Sequence, residues 1–186
     1  QAARTPWTLP RGRLCGWSRA IYLFMWRPWF RTESVDEAFL RTAPVVLRET
    51  FKVNHPASRV WDELTSEHPL TWCRIIGGGV EWTSARPFGV GTTRTVNALA
   101  GLSAMREEFF IWEEGSRKAF FVTEASAPLF KRFAEDYVVT PTGDTSCEFT
   151  GPISYEPTIL GRGPVNKKLL GTLFSDARKH FSTGNA

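Results

Sequence analysis

The spacing of apolar and polar residues becomes regular at Ala43 and stays so to the end of the chain. Val45 to Val53 alternates and carries β-branched and aromatic side chains, which predicts a strand. Asn54-His55-Pro56 ends this strand, and Ala57 to Ser66 then places its apolar residues on one face of a predicted helix. A second short helix is predicted at His68 to Arg74, so two short helices follow the first strand.

Six further strand-like segments follow, separated by short sequences rich in Pro, Gly, Ser and Asp. Short connections between neighbouring strands favour an antiparallel meander. The segments are Val80 to Ser84, Gly91 to Leu99, Ser103 to Trp112, Lys118 to Thr123, Phe133 to Thr140 and Ser146 to Ser154.

The last segment, Pro164 to Phe181, has the pattern of a long amphipathic helix, with an apolar residue at every fourth position from Val165. One curved sheet wrapped around this helix would bury the apolar faces of both. The predicted fold class is therefore α+β. It consists of a seven-stranded antiparallel sheet around a long C-terminal helix, with two short helices after the first strand.

Residues 1–42 differ in composition from the rest of the chain. They hold seven Arg against three acidic residues, whereas residues 43–186 hold 16 basic and 16 acidic side chains. The net charge of +4 therefore lies entirely in the first region, and the main body has no excess charge to attract nucleic acid. We predict an extension at 1–42 with one short helix from Ser18 to Arg27, and a domain at 43–186.

Residues 14–31 of this extension combine aromatic rings with flanking Arg side chains. Such a segment suits a peripheral contact with an anionic membrane or a groove on a protein partner. Packing of the segment on its own domain is the alternative, because a short helix that is apolar all round must be buried somewhere.

The sequence contains no recognisable metal or cofactor motif. Its three Cys lack any C-x-x-C pair, its three His have no metal-ligand spacing, and its Gly clusters lack the residues of a phosphate-binding loop. The longest apolar run, Ala20 to Trp26, is too short to span a bilayer. We therefore expect no cofactor, no metal and a cytoplasmic location.

Four local motifs carry a resemblance to a known family. They are the strand-to-helix entry from Phe51 to Trp61, the turn from Pro87 to Thr92, the strand from Arg106 to Glu113, and Glu135-Asp136-Tyr137 ahead of a Pro-Thr-Gly turn. With this order of elements, residues 43–181 resemble the START and Bet v 1-like superfamily, also called SRPBCC, which includes polyketide cyclase/dehydrase and lipid-transport proteins. The resemblance implies a helix-grip fold with a pocket for hydrophobic small molecules between sheet and terminal helix, and catalysis in only some members.

Polar side chains within the apolar strands are the candidate functional groups. Alternation places Glu135 and Tyr137 on one face of their strand, together with Phe133. If this face lines the pocket, the Glu135 carboxyl must pair with an Arg or have a raised pKa. Ordinary outward salt bridges are the alternative. The candidates for catalysis are Arg94, Arg106, Glu135 and Tyr137.

Two details of the pocket depend on strand register. In the fourth predicted strand the even and odd positions are both partly apolar, and we predict that the even set faces the pocket. The resemblance implies an aromatic residue where this chain has Gly151, so this glycine either enlarges the pocket or marks a bulge. The predicted ligand-binding residues are Arg106, Glu108, Phe110, Trp112, Phe133, Glu135, Tyr137, Phe149, Gly151, Leu169 and Leu173.

Taken together, these features predict non-catalytic binding or transport of a hydrophobic small molecule or lipid. The first alternative is an aromatase/cyclase-type enzyme, in which Arg94 or Arg106 polarises a ketone oxygen and Tyr137 or Glu135 moves protons. The second is an interaction module that docks on a membrane or a protein complex through its N-terminal segment.

Overall fold

A computed structural model describes residues 28–76 and 79–182, apart from the side chains of residues 164–167. The helix predicted from Ser18 to Arg27 and most of the aromatic segment 14–31 lie outside these residues. None of the described helices combines the length and the apolar character needed to cross a bilayer.

One antiparallel sheet forms the body of the described structure. Its seven longer strands lie in the order β2-β8-β7-β6-β5-β4-β3, and the two-residue strand β1 pairs with β6 beside this path. This arrangement confirms the predicted seven-stranded sheet, and the first long strand lies beside the last one. The strands are β1 Phe30–Arg31, β2 Val45–Val53, β3 Val80–Trp82, β4 Thr93–Ala98, β5 Ser103–Glu113, β6 Arg117–Ala125, β7 Phe130–Gly143 and β8 Ser146–Pro157.

In the described part of the chain, three α-helices accompany the sheet: α1 Phe39–Thr42, α2 Ala57–Leu64 and α3 Pro164–Ser182. The second short helix predicted at His68 to Arg74 is instead a series of turns. Leu70 has a φ of 62°, which lies in the left-handed region and cannot continue a right-handed helix. Pro69 also disfavours helical backbone at the residue before it.

The long helix α3 packs on the inner, concave side of the sheet, close to the edge strand β2. Phe174, Ala177 and Phe181 on this helix are buried. They join core residues of the strands and of α2 in two apolar clusters. The sheet and the terminal helix therefore bury each other's apolar faces, as the sequence pattern predicts.

The outer side of the sheet is also partly covered. Phe39 and Leu40 of α1 are buried against Ala119 and Ala134 of the sheet. Ser154 donates a hydrogen bond of 2.8 Å from its hydroxyl to the Leu40 carbonyl oxygen. The described end of the N-terminal extension thus packs on its own domain. A domain boundary at residue 42 remains a prediction.

The loop that leads from β8 into α3 makes a close backbone approach at Gly161. A Cβ atom added there would lie 1.9 Å from the carbonyl oxygen of Leu129. We therefore expect Gly161→Ala to lower the free energy of unfolding by roughly 1–3 kcal/mol, because the backbone has to shift. Urea denaturation measures this change.

Gly171, in the middle of α3, is the matched control. A Cβ atom there meets no heavy atom within 4 Å, so Gly171→Ala should raise stability by up to about 1 kcal/mol. Equal unfolding midpoints for the two variants would contradict the close approach at Gly161.

Candidate functional site

A cavity of about 70 Å³ lies between the inner side of the sheet and α3. A second cavity of about 30 Å³ lies beside it and shares five of its wall residues: Leu70, Ile76, Glu135, Tyr137 and Leu173. Strands β4 to β7, the loop after α2 and helix α3 all contribute to the larger cavity. Its walls are mostly aliphatic and aromatic, with four polar residues: Arg94, Glu107, Glu135 and Tyr137.

Arg94 and Glu107 form an ion pair in the cavity wall. They are direct partners across the β4–β5 ladder, so the strand register brings them together. The Arg94 Nε atom donates a hydrogen bond of 2.6 Å to Glu107 Oε2, and the two side chains are only 1% and 3% exposed. Burial raises the pKa of the Glu107 carboxyl, while the charge of Arg94 acts in the opposite direction.

The Arg94 guanidinium lies among aromatic rings. Its central carbon is 4.6 Å from the ring centroid of Phe120 and 5.1 Å from that of Phe109. The Nη1 atom is buried and has no hydrogen-bond partner within the described part of the chain. The Nη1 group is therefore a buried donor that the described residues do not satisfy.

Glu135 and Tyr137 form the second polar pair. They lie two residues apart on β7 and so share a face, as the alternation predicts. The Tyr137 hydroxyl donates a hydrogen bond of 2.5 Å to Glu135 Oε2. Burial raises the pKa of Glu135 to about 7, and burial together with the nearby carboxylate raises that of Tyr137. Glu135 can therefore change its protonation state near neutral pH.

Lys118, on β6, is fully buried next to this site. Its ammonium nitrogen donates a hydrogen bond of 2.5 Å to the Leu64 carbonyl oxygen at the end of α2. Aromatic rings surround it, including Trp61 and Trp112 at 5.9 and 5.8 Å. Burial lowers its pKa well below the usual value. Lys118 does not line either cavity, and its hydrogen bond ties α2 to the sheet.

Several residues predicted from the sequence lie at these cavities. Phe133, Leu169 and Leu173 line the larger one together with Glu135 and Tyr137. Phe149 lines the smaller one.

Gly151 faces α3, and the pairing of β2 with β8 runs through it without a bulge. A Cβ atom there would lie 3.1 Å from the Phe149 ring and 3.4 Å from that of Phe174. These rings occupy the space beside the glycine, so its lack of a side chain does not enlarge the cavity directly.

The prediction for the even positions of β5 is wrong. Met105 and Glu107, from the odd set, line the cavity. Arg106 is 49% exposed and pairs with Glu124 outside the cavity, which removes it from the candidate catalytic groups.

The remaining even positions also lie elsewhere. Glu108 borders an open groove with Arg106, and Phe110 packs on Phe121 beside the α1 cluster. Trp112 contacts the Trp61 ring, beyond a register irregularity between Phe109 and Ile111. The even or odd position of a residue along β5 did not predict its face correctly, because apolar groups cover both faces of this strand.

Sequence reasoning also missed Glu107 and Lys118. Glu107 could have been found from the register of the short β4–β5 hairpin, which pairs it with Arg94. Lys118 shares a face with the buried Phe120 and Val122, so alternation along β6 could have revealed the second.

Metal binding finds no support among the described residues, which contain no group of three or more His, Cys, Asp or Glu side chains suited to hold an ion. The polar groups of the cavity can instead donate hydrogen bonds, accept them and exchange a proton.

The raised pKa of Glu135 predicts a pH-dependent stability. A carboxyl whose pKa is raised from 4.5 to about 7 binds its proton more tightly in the folded state. The stabilisation from this bound proton is complete below the pKa that the carboxyl has in the unfolded chain. It is lost as the pH rises through about 7, which lowers the free energy of unfolding by about 3 kcal/mol. Tyr137, Arg94 and Glu107 are the ionisable groups that act on it.

Glu135→Gln keeps a hydrogen-bond acceptor for Tyr137 and removes this titration. We therefore expect the stability of the variant, relative to the wild type, to rise between about pH 5 and pH 8. Denaturation curves at both pH values measure the difference. Glu81→Gln, at an exposed position on β3, is the control and should follow the wild type. A Glu135→Gln variant with the same pH dependence as the wild type would contradict the assignment.

Known proteins resemble this chain in sequence and in structure. No family model matches the chain. Uncharacterized proteins of Mycobacterium tuberculosis and Mycobacterium bovis are 38% identical to it over 109 residues. The matched segment covers 58% of this chain and 64% of the length of those relatives, which is less than two thirds.

Solved structures match over a larger part of the chain. A START superfamily protein from Mycobacterium smegmatis superposes with a TM-score of 0.57 at 15% identity, over 75% of this chain and 99% of the other. A major latex-like protein from Panax ginseng gives 0.56 at 18% identity, over 74% and 97%. Norcoclaurine synthase from Thalictrum flavum, in complex with dopamine and hydroxybenzaldehyde, gives 0.55 at 14% identity, over 84% and 98%. The chain therefore has the START/Bet v 1-like helix-grip fold.

Proposed function

We propose that the chain binds a hydrophobic small molecule or lipid between the sheet and α3. The observation that carries the proposal is the cavity itself, an apolar space into which a few oriented polar groups project. Binding of hydrophobic ligands is general among proteins of this fold. The structure of the Thalictrum flavum enzyme, which has the same fold, is a complex with dopamine and hydroxybenzaldehyde, and this supports small-molecule binding here.

The size of the cavity limits what can enter without movement. At about 70 Å³ it is smaller than the roughly 150 Å³ cavity that holds benzene in an engineered protein core. A ligand with a ring or a longer chain must therefore displace part of the wall. The side chains shared by the two cavities are the first candidates, because moving Leu70 or Leu173 would join the two spaces.

Helix α3 and the loop after α2 form the part of the wall that lies outside the strand ladders. They are linked to each other: Arg74 donates hydrogen bonds of 2.9 and 2.8 Å from its backbone N–H and its Nε to the Asp176 carboxylate. An outward movement of α3 would carry this loop with it. The strands behind them, held by their ladders, would keep the polar groups in place.

A second candidate function is an aromatase/cyclase-type reaction on a ketone. The observation that favours it is that Arg94, Glu135 and Tyr137 line one cavity. The Arg94 guanidinium could donate to a ketone oxygen, and Glu135, with a pKa of about 7, could take a proton from the adjacent carbon. Tyr137→Phe should then slow turnover of a polyketide substrate without weakening its binding, whereas equal loss of both would count against catalysis.

Filling the cavity should remove the ligand. Ala98 lines its wall and is buried, so Ala98→Leu places three more carbon atoms in the space. We expect organic extracts of the protein purified from its source organism to contain an apolar molecule. Mass spectrometry should show this molecule several-fold depleted in the Ala98→Leu variant.

Ala85→Leu makes the same chemical change at an exposed position and serves as the control. Its extract should match that of the wild type. Extracts without any apolar molecule, or with equal amounts in all three proteins, would contradict the proposed function.

A further inference from the structure

Connections that are distant in the sequence meet at one end of the sheet. The strand register places the β4–β5, β6–β7 and β8–α3 connections at this end, because neighbouring strands are antiparallel. The backbone N–H of Thr158 donates a hydrogen bond of 2.9 Å to the Leu129 carbonyl oxygen, which joins the last two connections. We call this surface the loop end, and it consists of residues 99–102, 126–129 and 158–163.

The loop end exposes large apolar side chains to solvent. Leu102 is 85% exposed, Ile159 85% and Leu160 72%. In the described part of the chain only one other large apolar side chain is more than 70% exposed, Val90 at 71%. Val90 precedes β4, whereas Leu102 follows it, so the two lie at opposite ends of that strand. Exposed apolar residues that gather in one place mark a surface that binds another molecule.

Basic side chains surround these apolar residues. Arg162 and Lys168 are exposed next to the last connection, and residues 157–175 contain no Asp or Glu. Glu124 and Glu156, which stand just before the ends of β6 and β8, are each paired with two basic side chains. The surroundings of the loop end are therefore net positive. The six basic residues there are Arg31, Arg106, Lys131, Arg132, Arg162 and Lys168, and the three acidic ones are Glu33, Glu124 and Glu156.

We propose that the loop end binds the surface of an anionic lipid membrane, with Leu102, Ile159 and Leu160 inserted among the lipids. Apolar side chains surrounded by basic ones suit this surface, because the acyl region accepts the former and the anionic headgroups attract the latter. Such docking goes beyond the proposed function, since it uses the outer surface and does not require an occupied cavity.

Three other occupants fit the loop end less well. Residues 1–27 contain five Arg and no acidic residue, so this segment would bring further positive charge to a positive surface. A second copy of the chain would place two positive surfaces against each other. A folded protein partner would need a pocket shaped for each exposed side chain, on two separate connections, whereas lipid has no fixed shape.

Flotation with lipid vesicles measures the binding of the full chain. One set of vesicles is pure phosphatidylcholine, and the other contains about 30% phosphatidylglycerol as the anionic lipid. In about 0.1 M NaCl we expect the chain to bind the anionic vesicles at least roughly 10-fold more tightly than the neutral ones. Raising the salt to about 0.5 M should weaken this binding, because it screens the attraction.

Leu102→Ser and Val90→Ser form a matched pair. Both remove an exposed apolar side chain, and only Leu102 lies at the loop end. We expect Leu102→Ser to weaken binding to anionic vesicles roughly 10-fold, and Ile159→Ser combined with Leu160→Ser to weaken it roughly 100-fold, since these side chains no longer enter the acyl region. Val90→Ser should bind like the wild type.

A second pair of variants tests the basic residues. Arg162→Gln combined with Lys168→Gln should weaken binding to anionic vesicles by roughly 10- to 30-fold, since each removes one cation near the headgroups. Arg48→Gln combined with Lys52→Gln removes the same total charge from exposed positions on β2 and is the control. It should bind like the wild type.

Several outcomes would overturn this inference. Absence of binding to anionic vesicles, or equal binding to neutral ones, would remove the anionic membrane as the occupant. Binding that persists in the variants at the loop end would assign it to another surface, such as residues 1–27. A wild-type dimer in sedimentation that Leu102→Ser dissociates would make a second copy the occupant. Equal losses in Val90→Ser and Leu102→Ser would show that the site is not specific.

The proposed function is tested separately. Extraction of an apolar molecule, and its depletion by Ala98→Leu, depend on the cavity and not on the loop end. Failure of vesicle binding would therefore leave the proposed function standing, and empty extracts would leave the docking surface standing.

Discussion

A single helix cannot cover the concave side of a seven-stranded sheet, and this mismatch of surfaces underlies the rest of the structure. Helix α3 packs close to the edge strand β2. The inner side of strands β4 to β6 needs other groups to close it, which come from α2 and from the loop that follows it. The cavity lies where these parts meet α3. Its small size shows how nearly the side chains fill the space.

Buried ionisable groups define the character of this space. Arg94, Glu107, Lys118 and Glu135 are all at most 6% exposed, and burial of each has a cost in desolvation. Arg94 and Glu107 pair across a ladder, and Lys118 donates to the end of α2. The Glu135 carboxyl avoids the desolvation of a charge because it stays protonated up to about pH 7, and it accepts a hydrogen bond from the Tyr137 hydroxyl. The Arg94 Nη1 group stays buried without a hydrogen-bond partner among the described residues.

The outer side of the sheet explains why the strands are apolar on both faces. Helix α1 buries Phe39 and Leu40 there, and Arg117 donates to the carboxylates of Asp136 and Glu37 at 3.0 and 2.9 Å. This contact fastens the segment before β2 to the middle of the sheet. The described end of the N-terminal extension therefore has a structural role.

The amino-acid sequence by itself determined the order of the seven long strands, α2 and α3, the apolar face of α3, and the shared face of Glu135 and Tyr137, because each follows from a local period of 2 or 3.6 residues. Only the tertiary structure decided which face of β5 lines the cavity. Helix α1 and its neighbours cover the outer face, so both faces of β5 carry apolar residues, and the alternation of apolar and polar positions cannot distinguish them. The tertiary structure also decided the hydrogen bond from Lys118 to the end of α2 and the link between Arg74 and Asp176 of α3. These contacts join segments that are distant in sequence, and a local pattern carries no information about them.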